Sequence, residues 1–273
     1  MSRIAATFQR MKAANQAAFI PFFAAGDPDM QTTAALIKSA AAAGADIIEI
    51  GVPFSDPIAD GPVIQAAFYR ALDKGFRIAQ LFDMVKTLRA GGLETPLVCM
   101  VSYSLVYKRT LPEFLSQCHA AGFDGLIIPD LPAGYEGDAA ERATAAGLEL
   151  IFLIAPTTTP DRRALIARRS RGFIYYISVT GITGARAALP PDLADNVRDI
   201  KRHSDTPVCV GFGISKPEQA AAVGAIADGV IVGSALVRKV EEALAQKLQG
   251  EALVQHITAL VKELADSAHA RRG

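Results

Sequence analysis

From residue 19 onward, short apolar runs alternate with longer Ala- and Leu-rich stretches of helical period, and no Pro/Gly/Ser-rich linker interrupts them. The runs at 19–24, 46–50, 97–101, 125–128, 148–154, 173–178, 208–211 and 229–232 predict eight strands. Each is apolar almost throughout, as a parallel strand covered on both faces should be, and each is followed by a helical segment. Several helices end in Ala-Gly-hydrophobic-acid: Ala43-Gly44-Ala45-Asp46, Ala121-Gly122-Phe123-Asp124 and Ala146-Gly147-Leu148-Glu149. The glycine supplies a left-handed cap that turns the chain into the next strand, so the recurrence marks a repeated βα unit. Ahead of the first strand, Ile4, Phe8 and Met11 recur at helical spacing with Arg3, Arg10 and Lys12 among them. This predicts a helix within residues 1–17 packed on the sheet, in preference to an organellar transit peptide.

Eight units without a Gly-x-Gly-x-x-Gly after the first strand favour an α/β fold of the (β/α)8 TIM-barrel type over a doubly wound open sheet. The expected organisation is one domain over residues 1–273, with an extra N-terminal helix and a disordered tail at 267–273. In such a barrel, chemistry belongs at the C-terminal ends of the strands and the loops after them.

Composition removes several classes of function. Lys plus Arg equals Asp plus Glu, 28 against 28, so no long-range field points to nucleic acid or an anionic membrane. The arginines at 162, 163, 168, 169 and 171 read as a solvated face. Cys99, Cys118 and Cys209 are odd in number and far apart, which fits neither a disulfide framework nor a zinc knuckle and points to a reducing cytoplasm. No apolar run approaches the ~20 residues of a membrane span. The four histidines fall on predicted outer helices or the tail, so neither a His-based metal site nor a Ser-His-Asp triad is visible. No lysine ends a predicted strand, which argues against a Schiff base.

The most unusual segment follows the second strand and runs from Ile48 to Pro62. Glu49 interrupts an apolar strand near its end, where burial favours the neutral acid and suits it to general acid-base work. Asp60, just before Gly61-Pro62, reads alone as a helix N-cap; paired with Glu49 across one loop, it becomes a second working carboxylate. A second constellation is rich in glycine: Gly181 to Gly184, Gly211-Phe212-Gly213 and Gly233-Ser234, after strands six, seven and eight. There, backbone N–H groups and the start of a short helix would meet a phosphate. Phe22, Met100, Ile127, Tyr175 and Phe212 would line an apolar slot between the two, or equally serve as barrel core.

With these residues in view, the chain resembles the tryptophan synthase alpha subunit family. The run from Ile48 to Pro57 followed by Ala59-Asp60-Gly61 is highly specific to it, and the resemblance extends from Phe22 and Gly26-Asp27-Pro28 to Gly233-Ser234. It implies retro-aldol cleavage of indole-3-glycerol phosphate to indole and glyceraldehyde 3-phosphate, in tryptophan biosynthesis. Glu49 would be the acid-base, Asp60 would hold the indole N–H, and Tyr175 would support the site. Phe22, Met100, Ile127, Thr183 and Phe212 would bind the rest of the substrate, and Gly184, Gly213, Gly233 and Ser234 its phosphate. The resemblance further implies no cofactor on this chain, pyridoxal phosphate on a beta subunit, and an αββα complex. The loops 53–60 and 179–190 would be lids, with Pro53, Asp56 and Pro57 at the partner contact. Two alternatives stay open on residues alone: a free-standing indole-3-glycerol phosphate lyase, and a non-catalytic regulatory subunit. Indole-3-glycerol phosphate synthase is disfavoured, because its strand-borne lysine is missing.

Overall fold

The structure is a computed structural model that describes residues 1–57, 60–177, 189–211 and 213–270. The elements begin with α1 (Arg3–Ala13), β1 (Ala18–Ala24), α2 (Met30–Ala42), β2 (Ile48–Gly51), α3 (Pro62–Asp73), α4 (Ile78–Ala90) and β3 (Leu97–Met100). Next come α5 (Tyr103–Arg109), α6 (Leu111–Ala121), β4 (Gly125–Ile127), α7 (Ala139–Ala145), β5 (Glu149–Ile151), β6 (Leu153–Ile154) and α8 (Pro160–Arg169). The last are β7 (Ile174–Ile177), α9 (Leu193–Lys201), β8 (Val208–Gly211), α10 (Pro217–Gly224), β9 (Gly229–Val232), α11 (Ser234–Ala245) and α12 (Gly250–Ala268).

All strand pairs are parallel, in the order β5-β4-β3-β2-β1-β9-β8-β7-β6. The two outermost strands are separated in sequence only by Phe152, so the sheet curls into a nearly closed (β/α)8-type barrel. This corrects the expectation of a continuous fifth strand over 148–154. Its first half pairs with β4 in the register Gly125↔Glu149, and its second half pairs with β7 in the register Leu153↔Tyr175. A barrel strand meets its two neighbours at staggered heights because the strands tilt, and here the stagger divides one run into two.

Side chains alternate across this sheet as the pleat requires. On β1, Ala18 and Ile20 point into the barrel with Ile47, Val98, Ile127, Ile151, Phe173 and Ile231. Phe19 and Phe23 point outward into the layer shared with the helices. The recurring acids do a second job at the strand starts. Asp46 accepts from the N–H of Phe19 at 2.9 Å, Asp124 from Leu97 at 2.8 Å, and Asp228 from Val208 at 2.9 Å. Each also holds a cation: Arg10 on Asp46, Arg3 and Arg89 on Asp124, Lys201 on Asp228. Gly44, Gly122 and Gly147 have φ of 106°, 98° and 76°, so the turn before each acid does use the left-handed conformation.

Two expectations at the chain's periphery are corrected. The tail does not begin at 267: α12 continues to Ala268, which is buried, and His269 Nε2 lies 2.6 Å from Asp46 Oδ2. A carboxylate already clamped between two strands thereby secures the end of the last helix. The arginines of α8 are not simply a solvated face. Arg163 bridges to Asn196 and Asp199, and Arg169 pairs with the buried Glu136. Among the described residues, no helix is long and apolar enough to cross a membrane.

The N-terminal helix packs where the pattern placed it. Ile4, Phe8 and Met11 enter the bottom of the barrel interior, with the Phe8 and Phe173 rings 6.0 Å apart. Because these side chains fill the floor, Phe8→Ala is expected to cost about 3–5 kcal/mol of unfolding free energy. Urea denaturation measures this directly, and a loss under about 1 kcal/mol would show that α1 lies on the barrel without plugging it.

Candidate active site

The mouth of the barrel, opposite α1, encloses a cavity of about 250 Å³. Glu49 reaches it from β2 and Tyr175 from β7; Asp60 and Gly61 come from the loop before α3, and Gly213, Gly233 and Ser234 from the ends of β8 and β9. Phe22, Met100 and Ile127 also line it. The structure therefore gathers most of the residues singled out in the sequence. Thr183, Gly184 and Phe212 lie outside the described residues, as do 58, 59, 178–188 and 271–273.

Glu49 is 1% exposed, and its Oε2 has no hydrogen-bond partner among the described residues. Burial, with a smaller contribution from the charge of Asp60, pushes its carboxyl up from 4.5 to about 8. Asp60 is raised less, to about 6, mainly by burial and then by Asp130. Two carboxyl groups in one cavity thus favour different protonation states at neutral pH: Glu49 carries its proton and Asp60 has lost its own. Tyr175 faces both, and burial followed by the two carboxylates holds its phenol well above the ordinary range.

Asp60 is not the N-cap of the helix it precedes. Gly61 occupies that position and Pro62 the first turn, without a side-chain cap. Gln65 on α3 donates to the carbonyls of Asp60 at 2.8 Å and Pro57 at 3.2 Å, fixing the loop from behind. The carboxylate itself is left to the cavity. Phe54, Asp56 and Pro57 of the same loop, with Asp60 itself, also line a second, smaller cavity of about 40 Å³ shared with Ser102 and Asp130. Asp56 is exposed there, whereas Pro53 and Pro57 are buried.

Elsewhere in the lining, two strands along from β2, Gly233 caps α11, a helix of 12 residues and so longer than the short helix expected. No described side chain hydrogen-bonds to its N-cap, and Gly213, with φ 32°, shares the cavity lining with it. Free N–H groups and a helix dipole directed into a cavity suit an anion. Between the two ends the walls are apolar. Ile64, Pro129, Leu153, Ile177, Ile214 and Ile231 belong to them and were not singled out in the sequence. Alternation offered one signal: Leu153 shares the inward face of its run with Ile151. Nothing local marked Ile64, which arrives from α3.

The chain matches the profile of the family described as tryptophan synthase alpha chain over residues 8–269. The chain belongs to the tryptophan synthase alpha chain family. It is 43% identical to the tryptophan synthase alpha chain of Rhodopirellula baltica over 274 residues, covering 100% of this chain and 98% of that one. Among solved structures, a chain of Mycobacterium tuberculosis tryptophan synthase superposes with a TM-score of 0.89 at 36% identity, covering 98% of this chain and 99% of that one. The alpha subunit from Legionella pneumophila superposes with a TM-score of 0.90 at 35% identity over 98% of each chain. Membership makes this chain a subunit of an enzyme, and the barrel is the tryptophan synthase alpha fold.

The burial of Glu49 has a consequence for the stability of this alpha chain. Its folded-state pKa is raised, so the stability linked to it is complete below about pH 4.5 and is lost as pH rises through about 8. Glu49→Gln keeps the shape and removes the ionisation. Relative to the parent, the variant is expected to gain on the order of 4 kcal/mol between pH 4 and pH 9. Denaturation midpoints at the two pH values test this; a difference that does not change with pH would mean that the carboxyl ionises freely in the folded chain.

Proposed function

We propose that this chain cleaves indole-3-glycerol phosphate to indole and glyceraldehyde 3-phosphate by a retro-aldol reaction, with Glu49 as the acid-base. The observation that carries the reading is the wholly buried Glu49 carboxyl. Burial raises its pKa to about 8, its Oε2 has no partner among the described residues, and it faces a largely apolar cavity lined also by the N-terminus of α11, which has no side-chain cap among them.

As an acid, Glu49 delivers its proton to indole C3, leaving a cationic C=N–H in the five-membered ring. Asp60, ionised, accepts a hydrogen bond from that N–H and balances the charge. The Glu49 carboxylate then takes the proton from the glycerol hydroxyl next to the ring. The carbon-carbon bond breaks, its electrons return to the ring and neutralise the nitrogen, and the hydroxyl carbon becomes the aldehyde. Protons balance, since the one given to C3 is replaced by the one from the hydroxyl, and one carboxyl serves both steps in turn. Tyr175 supports the carboxyl pair. Phe22, Met100 and Ile127, with Phe212, hold the indole ring, and Gly213, Gly233 and Ser234, with Gly184, receive the phosphate. Thr183 joins the substrate-binding residues from the loop that contains Gly184.

These steps call on no cofactor of this chain. Pyridoxal phosphate is assigned to the beta chain of an αββα complex, which meets the loop of Pro53, Asp56 and Pro57, and the complex works in the cytoplasm. The loops 53–60 and 179–190 act as lids over the mouth.

Indole release from indole-3-glycerol phosphate, with and without a tryptophan synthase beta chain, is the direct test. Slow release that rises strongly with the partner is expected; fast release by the isolated chain would overturn the role assigned to the partner. Glu49→Gln is expected to lower the rate about 10²- to 10⁴-fold while leaving glycerol phosphate affinity nearly intact. Normal turnover by that variant would remove Glu49 from the mechanism. At the opposite end, Gly213→Val forces a branched side chain onto a positive φ beside the anion site. Glycerol phosphate affinity measured by calorimetry is expected to fall about tenfold or more, and unchanged affinity would displace the phosphate from that end.

A further inference from the structure

Gly51 ends β2 two residues after Glu49, so the two share a face of the strand and Gly51 stands one step closer to the mouth. A methyl group at Gly51 would lie 2.6 Å from Cε2 of Phe22, nearer still to Cζ, and 3.1 Å from Cζ of Phe68. The place of the missing side chain is therefore taken by the tip of the Phe22 ring. Phe22 belongs to β1, where its backbone is paired with Glu49 itself. The near part of its ring passes 3.6 to 3.7 Å from where a methyl group on Gly233 would be. Phe22 thus runs between Gly233, which follows β9, and Gly51, which ends β2, from the proposed phosphate end across to β2. Ile64, Phe68 and Val237 pack around it from α3 and α11. A glycine inside a strand gives up packing and order, and is expected where another group must approach the backbone closely.

We propose that Gly51 is a positioning residue for the reaction: its missing side chain lets the Phe22 ring lie across β2 on the mouth side of Glu49, where the ring both walls the cavity and keeps water from the carboxyl. The proposal rests on the reading of Glu49 as the acid-base. Of the remaining lining among the described residues, only Asp60 from the loop before α3 and Tyr175 from β7 are ionisable, with the Cys209 thiol of β8 acting on Tyr175. Neither β1 nor β3 presents a charge to Glu49, since their paired residues are Phe22 and Val98. Exclusion of water is the first cause of the raised Glu49 carboxyl, and Phe22, paired with Glu49 across β1 and β2, is a bulky side chain of the cavity lining whose ring tip reaches the Gly51 position. Displacing the ring therefore acts on Glu49 without touching it.

The test is Gly51→Ala in the full-length chain assembled with a beta chain, read in two ways. The Glu49 carboxyl is followed by infrared titration, assigned by the band that Glu49→Gln removes, and the pH profile of kcat/KM is measured with indole-3-glycerol phosphate. The Glu49 midpoint is expected to fall by about one unit or more, as water reaches the carboxyl. KM is expected to rise about tenfold, and this rise should be smaller when Gly51→Ala is combined with Phe22→Leu, because the two side chains compete for one space. Should Gly51→Ala fail to fold, Phe22→Leu alone thins the cover while leaving β2 intact, and a lowered Glu49 midpoint in that variant supports the proposal equally. An unchanged Glu49 midpoint in each of these variants that folds overturns it. The carboxyl titration does not depend on turnover, so a Glu49→Gln variant of normal activity would refute the catalytic reading and leave this one to be decided by the infrared band.

Discussion

Closure of the parallel sheet is the constraint on which the rest of this structure depends. An open parallel sheet would leave β5 and β6 with unpaired backbone groups, and it would leave the inward face of every strand without a partner. The run around Phe152 removes both problems by pairing with β4 on one side and β7 on the other. Once the sheet is closed, the pleat divides each strand into an inward and an outward set. The bottom is filled by α1, and a cavity remains at the mouth, where Glu49, Tyr175 and the glycines at the strand ends meet.

The two ends of the barrel use acids in opposite ways. At the bottom, Asp46, Asp124 and Asp228 are engaged, each with a strand N–H and a cation, and clamp the strand starts. At the mouth, Glu49 has neither a cation nor a partner for one of its oxygens among the described residues. The same chemical group clamps strands where its charge is compensated and is pushed toward its neutral form where it is not. Compensation at the bottom holds the strands in the register that keeps Glu49 out of water. In that sense the clamps are a condition for the acid at the mouth.

Glycine has a matching double use. Gly44, Gly122 and Gly147 serve backbone conformation before the strands begin. Gly51 and Gly211 close their strands, where space is what counts. A methyl group at Gly211 would meet the Tyr175 ring at 2.5 Å, much as one at Gly51 would meet Phe22. Two aromatic side chains therefore lean over neighbouring strands at the level of the cavity, giving it walls that lie flat against the sheet.

The sequence by itself determined the repeat and its chemistry. Short continuous apolar runs, period-3.6 apolar patterns, the Ala-Gly-x-acid turns and the run from Ile48 to Gly61 pointed to the barrel, the plug helix and the pair of carboxylates, because each is written in neighbouring residues whose spacing the backbone fixes. Only the tertiary structure decided that the fifth strand divides at Phe152, since strand tilt is a property of the whole ring. It alone freed Asp60 from helix capping by giving that position to Gly61. It also carried α12 past the expected tail, through a contact between His269 and Asp46 across 223 positions. The cavity wall from Ile64 and the tie between Gly51 and Phe22 were illegible for the same physical reason. Each joins residues brought together by closure, and a local pattern carries no record of what lies opposite it.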